Sequence, residues 1–225
     1  MSKAETIEAL MESAIQCFAK DGYEGASLRD IARNANVPLS TIHFYFGSKT
    51  ELFAAIRRQA WDEIDHERSV LLELALAGDP ARPPDPRRLI YSLAYPIVQR
   101  ALSKRERDIS QIYILRSHTS YARSGIRSQA VELADRSMVR WIDALGRVYP
   151  AMSRTDLIWA FSFVIGAIYS WQVIDRRYDS MLGEDLERSA EEVTEDIVIF
   201  CDKGLEAVAL TRRAASAAAE AAARA

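Results

Sequence analysis

The chain of 225 residues is 49% apolar and 27% charged, the balance of a soluble globular protein with room for one or two domains. Its formal net charge of −3 offers no general attraction to nucleic acid. Two cysteines, Cys17 and Cys201, are too few and too far apart for a disulfide framework or a zinc site, and buried free thiols are expected instead. Residues 1–8 are polar and acidic, with no apolar stretch before a small-residue cleavage site, so a cytoplasmic location is expected.

Taken in chain order, almost every segment has helical periodicity and none alternates as a strand does. Ile7, Leu10, Met11, Ala14, Ile15 and Phe18 recur at steps of three and four and predict a first helix over about 3–21, ended by Asp21-Gly22 with the glycine left-handed. Ser27 opens a second helix, with Asp30 as its capping-box partner and Leu28, Ile31, Ala32 and Ala35 as its apolar stripe. Asn36 suits a positive-φ turn, a third helix follows over about 38–45, and Gly47 breaks the chain. Ser48 and Glu51 form a capping box for a long fourth helix reaching about residue 77.

Residues 78–86 hold Pro80, Pro83, Pro84 and Pro86 and mark the main composition break. Further helices are predicted over about 87–103, 106–117, 124–148, 154–178 and 184–211, with Pro96 expected to kink the first of these. Ser153 and Asp156 cap the helix that begins near 154. The alanine-rich stretch 212–225 has high helix propensity but little to pack against, and is expected to fray.

Residues 27–46, SLRDIARNANVPLSTIHFYF, supply a supporting helix, a tight turn and a second short helix, the three parts of a helix-turn-helix. Ile31, Ala32, Val37, Ile42 and Phe46 are spaced to bury against the first helix. Leu39, Ser40, Thr41, His43, Phe44 and Tyr45 are left to face outward or partly so. A DNA duplex would cover these aromatics. Thr41, His43 and Tyr45 can donate to phosphate oxygens, while Leu39 and Phe44 suit thymine methyl groups. Lys49 opens the fourth helix, where its ammonium and the free backbone N–H groups favour a phosphate. Charge follows the same division. Residues 1–26 carry Lys3 and Lys20 against Glu5, Glu8, Glu12, Asp21 and Glu24, whereas residues 27–60 carry Arg29, Arg33, Lys49, Arg57 and Arg58 against Asp30 and Glu51.

Residues 6–56 resemble the TetR family of bacterial regulators. The resemblance rests on Ile7 to Phe18, the run Gly22 to Ala32, then Val37, Ile42, Tyr45-Phe46 and Ser48-Lys49-Thr50-Glu51-Leu52, in continuous order. It implies phosphate contacts from Ser27, Thr41, His43, Tyr45 and Lys49, and base-facing positions for Leu39, Ser40 and Phe44. Three residues depart from the family's habit: Pro38 replaces a Ser or Thr cap, Asn36 a turn glycine, and His43 a tyrosine. With no Arg, Lys, Asn or Gln between 38 and 45, shape readout and apolar contacts are expected to carry much of the specificity.

Residues 157–174, LIWAFSFVIGAIYSWQVI, contain no charge. The length meets the lower bound for a membrane span, but Ser162, Ser170 and Gln172 lie inside it and neither flank is basic, so a helix buried on all sides is expected. Such burial requires a partner chain or a ligand cavity beside the chain's own neighbours. Gly166 allows close approach, and the last helix offers Val193, Ile197, Phe200, Cys201, Leu205 and Val208 as a stripe. The resemblance implies dimerisation through the last two helices, with Ile165, Gly166, Tyr169, Ile197, Phe200 and Leu205 as interface candidates. Aromatic residues scattered through this region, with a few polar groups, suggest an effector site. Its candidates are Tyr95, Tyr113, Arg116, His118, Trp141, Phe161 and Trp171.

The expected fold is therefore all-α, with about nine helices. A DNA-binding domain (1–50) is joined by the long helix to a ligand-binding and dimerisation domain (51–211), followed by the tail (212–225). The expected partners are an operator duplex, a small apolar or aromatic effector and a second copy of the chain. No cofactor, metal or membrane is expected: His43, His66 and His118 have no ligand spacing, and no nucleophile elbow, phosphate loop or H-E-x-x-H occurs, which argues against an enzyme. The alternative is a helical small-molecule-binding or membrane-associated interaction protein with no role on DNA.

Overall fold

The computed structural model describes residues 2–102, 129–182 and 188–224, excepting the side chains of 57, 61, 129–136, 171–182, 219, 220, 223 and 224. All its regular structure is helical: α1 (Lys3–Gly25), α2 (Leu28–Asn34), α3 (Leu39–Phe46), α4 (Lys49–Leu76), α5 (Pro86–Leu102), α6 (Gln129–Val148), α7 (Arg154–Leu182) and α8 (Ala190–Arg224). The described residues fall into two compact units, one running to Ile64 and the other comprising Asp65–Leu102 and the residues from 129 onward.

In the first unit the breaks sit where chain stereochemistry places them. Gly22 takes φ +69°, so α1 kinks there but runs one more turn to Gly25. Ser27 caps α2 by accepting the Arg29 N–H at 3.2 Å. The expected reciprocal box with Asp30 does not form, because the Asp30 carboxylate is taken by the Arg33 guanidinium three residues on. α2 ends in a Schellman turn: Asn36 sits at φ +54°, the Val37 N–H reaches the Ala32 carbonyl and the Asn36 N–H reaches that of Arg33, each at 3.0 Å. Asparagine tolerates this left-handed conformation better than other side-chain-bearing residues, which explains its place in the turn.

The core of this unit joins Leu10, Ala14 and Phe18 of α1, Ile31 and Ala32 of α2, Ile42 of α3, and Leu52, Phe53 and Ile56 of α4. Phe18 and Tyr23 both meet the Phe53 ring edge to face, at 5.1 and 5.2 Å between centroids. Ser13, buried in α1, donates to the Ile31 carbonyl at 2.8 Å, so the α1–α2 crossing is fixed by a hydrogen bond as well as by packing. Cys17 lies in the same interior as a free thiol, pushed up from its ordinary value chiefly by burial.

In the second unit, Asp85 accepts the Arg87 N–H and Pro86 stands at the first helical position, where its missing N–H costs nothing. α5 is a single helix that carries the buried Pro96 in its interior. Its inner face (Leu89, Ile90, Leu93, Ala94, Ile97, Val98) packs most extensively on α8. Trp141 of α6 is fully buried and donates its indole N–H to Ser92 at 3.0 Å; Ser92 in turn donates to the Leu89 carbonyl at 2.7 Å. Arg68 is buried beside this pair, with its Nε–H on the Leu93 carbonyl at 3.0 Å. Arg100 grips both oxygens of Glu67 at 2.7 Å, a bidentate pair that holds the Glu67 carboxyl below its ordinary range. Cys201 is buried and free. α8 is helical to Arg224; alanine favours helix without packing, and no glycine or proline interrupts 212–224.

Candidate nucleic-acid interface

The site is built on α3. A helix of eight residues cannot hold its shape alone, so its position is dictated by what it buries. Ile42 is fully buried, and Leu39, Tyr45 and Phe46 are partly buried against the same core. That leaves one outward edge: Ser40, His43 and Phe44 are exposed, Thr41 is half-buried, and Phe44 is 80% exposed, the most exposed large apolar side chain among the described residues. Phe44 and Tyr45 touch edge to face at 5.0 Å, and the Tyr45 hydroxyl has no hydrogen-bond partner among the described residues.

The ends of α3 are arranged differently from each other. Pro38 supplies no side-chain cap, and the Thr41 N–H turns back to the Pro38 carbonyl at 2.9 Å. At the other end Gly47 takes φ +75° and makes two bonds with His43: its N–H donates to the His43 carbonyl at 3.1 Å, and its own carbonyl meets the imidazole Nδ1 at 3.0 Å.

Ser48 then accepts the Glu51 N–H at 3.1 Å, capping α4 as the sequence suggests. Lys49, half-buried, sends its ammonium to the Glu24 carbonyl at 3.2 Å and lies 4.7 Å above the Tyr23 ring. The Tyr23 hydroxyl shares a hydrogen bond of 2.8 Å with Thr50. Lys49 thus closes the α1–α2 turn onto the start of α4 and commits one of its three N–H groups in doing so. Ser27 likewise caps through a lone pair and keeps its hydroxyl proton.

The candidates in the second unit are not brought together in the same way. Trp141 and Phe161 are core residues, and the indole N–H of Trp141 is already used by Ser92. Tyr95 is half-buried, stacked on Tyr91 at 5.0 Å, with its hydroxyl on Glu191 at 3.0 Å. Both tyrosines are raised above their ordinary value, Tyr91 mainly by burial and Tyr95 mainly by that hydrogen bond. Tyr113, Arg116 and His118 lie outside the described residues, as does the side chain of Trp171.

Of the candidates on the last two helices, Ile197, Leu205 and Tyr169 face into their own unit, Ile165 is half-buried, and Gly166 and Phe200 are exposed. The pattern missed Trp159 and Phe163, which are 63% and 66% exposed and stand one turn apart on α7 with rings 6.4 Å from each other. An i, i+4 aromatic pair in line with Gly166 was the available signal. Among the described residues no helix is long and apolar enough to cross a membrane, and no group of potential ligands could hold a metal ion.

A short helix seated by one buried residue, presenting an uncovered edge after a tight turn, defines a helix-turn-helix module. Residues 10–56 match the family described as bacterial regulatory proteins, tetR family, and residues 96–204 match the tetracyclin repressor-like C-terminal domain. The chain belongs to the TetR family. The chain is similar to the HTH-type transcriptional repressor AcnR of Corynebacterium efficiens, 36% identical over 52 residues, which are 23% of this chain and 28% of that protein. It is also similar to the probable acrEF/envCD operon repressor of Escherichia coli, 35% identical over 80 residues, 34% of each chain. These alignments span about a third or less of the curated relatives. In fold the chain is similar to a TetR-like transcriptional regulator from Rhodococcus sp. RHA1, with a TM-score of 0.57 and 20% identity, covering 92% of this chain and 98% of that one. Proteins of this family are DNA-binding transcription factors, not enzymes.

Proposed function

We propose that the chain is a cytoplasmic, ligand-responsive transcriptional repressor that binds a palindromic operator as a homodimer. A small, largely apolar or aromatic effector releases it. The observation that carries this reading is the uncovered edge of α3, where Ser40, His43 and Phe44 are exposed beside Thr41 and Tyr45 on a helix whose opposite side is locked by Ile42. Residues 1–50 are the part that meets DNA. Phe44 and Leu39 offer apolar surface to thymine methyl groups, and Ser27, Thr41, Tyr45 and Lys49 retain protons for phosphate oxygens.

Residues 51–211 bind the effector and the second copy. Self-association is supported by Trp159, Phe163 and Phe200, three aromatics left 63–74% exposed; aromatic surface of that extent marks a contact face more often than a solvated one. Two copies related by a twofold axis would set their α3 helices about one DNA turn apart, roughly 34–36 Å. The effector acts by population shift: it binds more tightly to a state whose DNA heads no longer match that spacing, and a preference of about a hundredfold amounts to about 2.7 kcal/mol.

A gel shift with the DNA upstream of the chain's own gene tests the reading, followed by a screen of apolar and aromatic compounds for loss of the shifted band. A salt-sensitive, sequence-selective shift at dimer stoichiometry is the expected result. Absence of selective binding would leave the non-DNA alternative.

A further inference from the structure

His43 occupies the outer edge of α3, and its ring is not free to choose a tautomer. Its Nδ1 lies 3.0 Å from the Gly47 carbonyl oxygen. A carbonyl can only accept, so Nδ1 carries the proton. A neutral imidazole has one ring proton, and Nε2 therefore presents a bare lone pair to the solvent side. A phosphate oxygen is also an acceptor. Neutral His43 thus has nothing to give a phosphate, unlike a tyrosine hydroxyl. Only the imidazolium, protonated at both nitrogens, can keep its bond to Gly47 and donate a second from Nε2.

We propose that His43 is a proton-dependent phosphate clamp: it contacts the DNA backbone only as imidazolium, so operator binding takes up a proton at each α3 helix. This rests on the DNA-binding reading above. The placement favours a phosphate over a base. His43 stands in the last turn of α3, away from the N-terminal residues that meet base edges in such helices.

The other elements of this unit carry Asp21 and Glu24 at the end of α1, Arg29, Asp30 and Arg33 on α2, and Lys49 and Glu51 at the start of α4. Asp30 is held by Arg33, and the Lys49 ammonium is turned to Glu24 and Tyr23. Among the described residues no carboxylate comes within 4.0 Å of the His43 ring. Imidazole is the side-chain type that exchanges a proton between about pH 5 and pH 8, the range in which the contact is tested.

The test uses full-length protein and a duplex selected from a random-sequence library by the wild-type protein. Affinity and its salt dependence are measured at about pH 6 and about pH 8 for wild type, His43→Phe and His43→Tyr. Relative to His43→Phe, wild type is expected to gain about tenfold in affinity at the lower pH, and its log-affinity against log-salt slope is expected to steepen by about 2, one added cation–phosphate contact on each of two chains. His43→Tyr, whose hydroxyl donates at any pH, is expected to bind tightly with a flat pH profile. Parallel pH and salt profiles for wild type and His43→Phe would overturn the clamp. So would weaker wild-type binding at low pH, the sign expected if Nε2 accepts from a base amino group. If the library yields no selective duplex, the DNA-binding reading itself fails, which is a different result.

Discussion

Replacing Ile42 by alanine should unseat the recognition helix. Ile42 is 0% exposed and is the only fully buried residue of α3. The change removes three carbons, worth about 0.8 kcal/mol each in transfer alone, and the cavity left behind brings the cost to about 3 kcal/mol, within the 2–5 range typical of such truncations. A unit of this size, at roughly 0.05–0.15 kcal/mol per residue, holds about 3–10 kcal/mol in total. At the low end of that range each head is half unfolded, and because two heads must be folded together, apparent operator affinity falls about fourfold or more. Native-state hydrogen exchange read on peptides within residues 2–56 measures the loss locally. Protection of the slowest α1–α3 amides should drop by about a hundredfold, since 1.4 kcal/mol is a factor of ten. Ile42→Val, at about 1 kcal/mol, should fall between the variant and wild type. A loss of protection under about tenfold in Ile42→Ala would refute the claim that this one residue seats the helix.

Three other outcomes can be checked directly. Phe200→Glu puts a charge at a 74% exposed aromatic position; sedimentation should show it monomeric with its helicity intact, and a wild-type-like dimer would remove Phe200 from the interface. Asn36→Val should destabilise by about 1–2 kcal/mol in urea denaturation, because the φ of +54° is hostile to a branched side chain, and Asn36→Gly should cost little or nothing. Stability should also decline in alkali. Burial pushes the Cys201 thiol from 9.0 up to about 11, and burial, with Asp202 and Glu206 adding to it, pushes Tyr149 from 10.0 up to about 12. Both groups are held neutral by the fold. Their contribution is whole below pH 9 and is lost as pH rises through 11 and 12. For the well-buried Cys201 that is on the order of 3 kcal/mol, and Cys201→Ala should flatten the pH 9–11 portion of the denaturation curve.

The punctuation of the first unit was legible because it is local. Gly22, Asn36 and Gly47 all take positive φ, and each stands at a break that a residue-by-residue reading finds. Ser48 caps as its spacing implies. The Ser27–Asp30 box was misread because sequence spacing cannot say which of two neighbours, a backbone N–H or the Arg33 guanidinium, a carboxylate will choose. The last two helices were harder for a different reason. α8 carries apolar residues on more than one side, so a stripe at helical spacing does not reveal which side faces home: Ile197 and Leu205 turned inward, and Phe200, three residues from Ile197, turned out. Lys49 illustrates a third limit, since its contact with the Glu24 carbonyl spans 25 residues and depends on how α1 and α4 meet.

The long alanine stretch of α8 has a consequence for how the molecule melts. Among the described residues Leu205 is the last buried side chain of that helix; Arg212 still pairs with Asp156 at 2.8 Å, and beyond Arg213 the described side chains are exposed on a helix that runs on to Arg224. Turns held by backbone propensity alone do not share in a cooperative transition; they unwind gradually from the free end as temperature rises. The magnitude of the ellipticity at 222 nm should therefore fall steadily well before the main unfolding step, and trimming the arm after Arg213 should level that baseline without moving the midpoint.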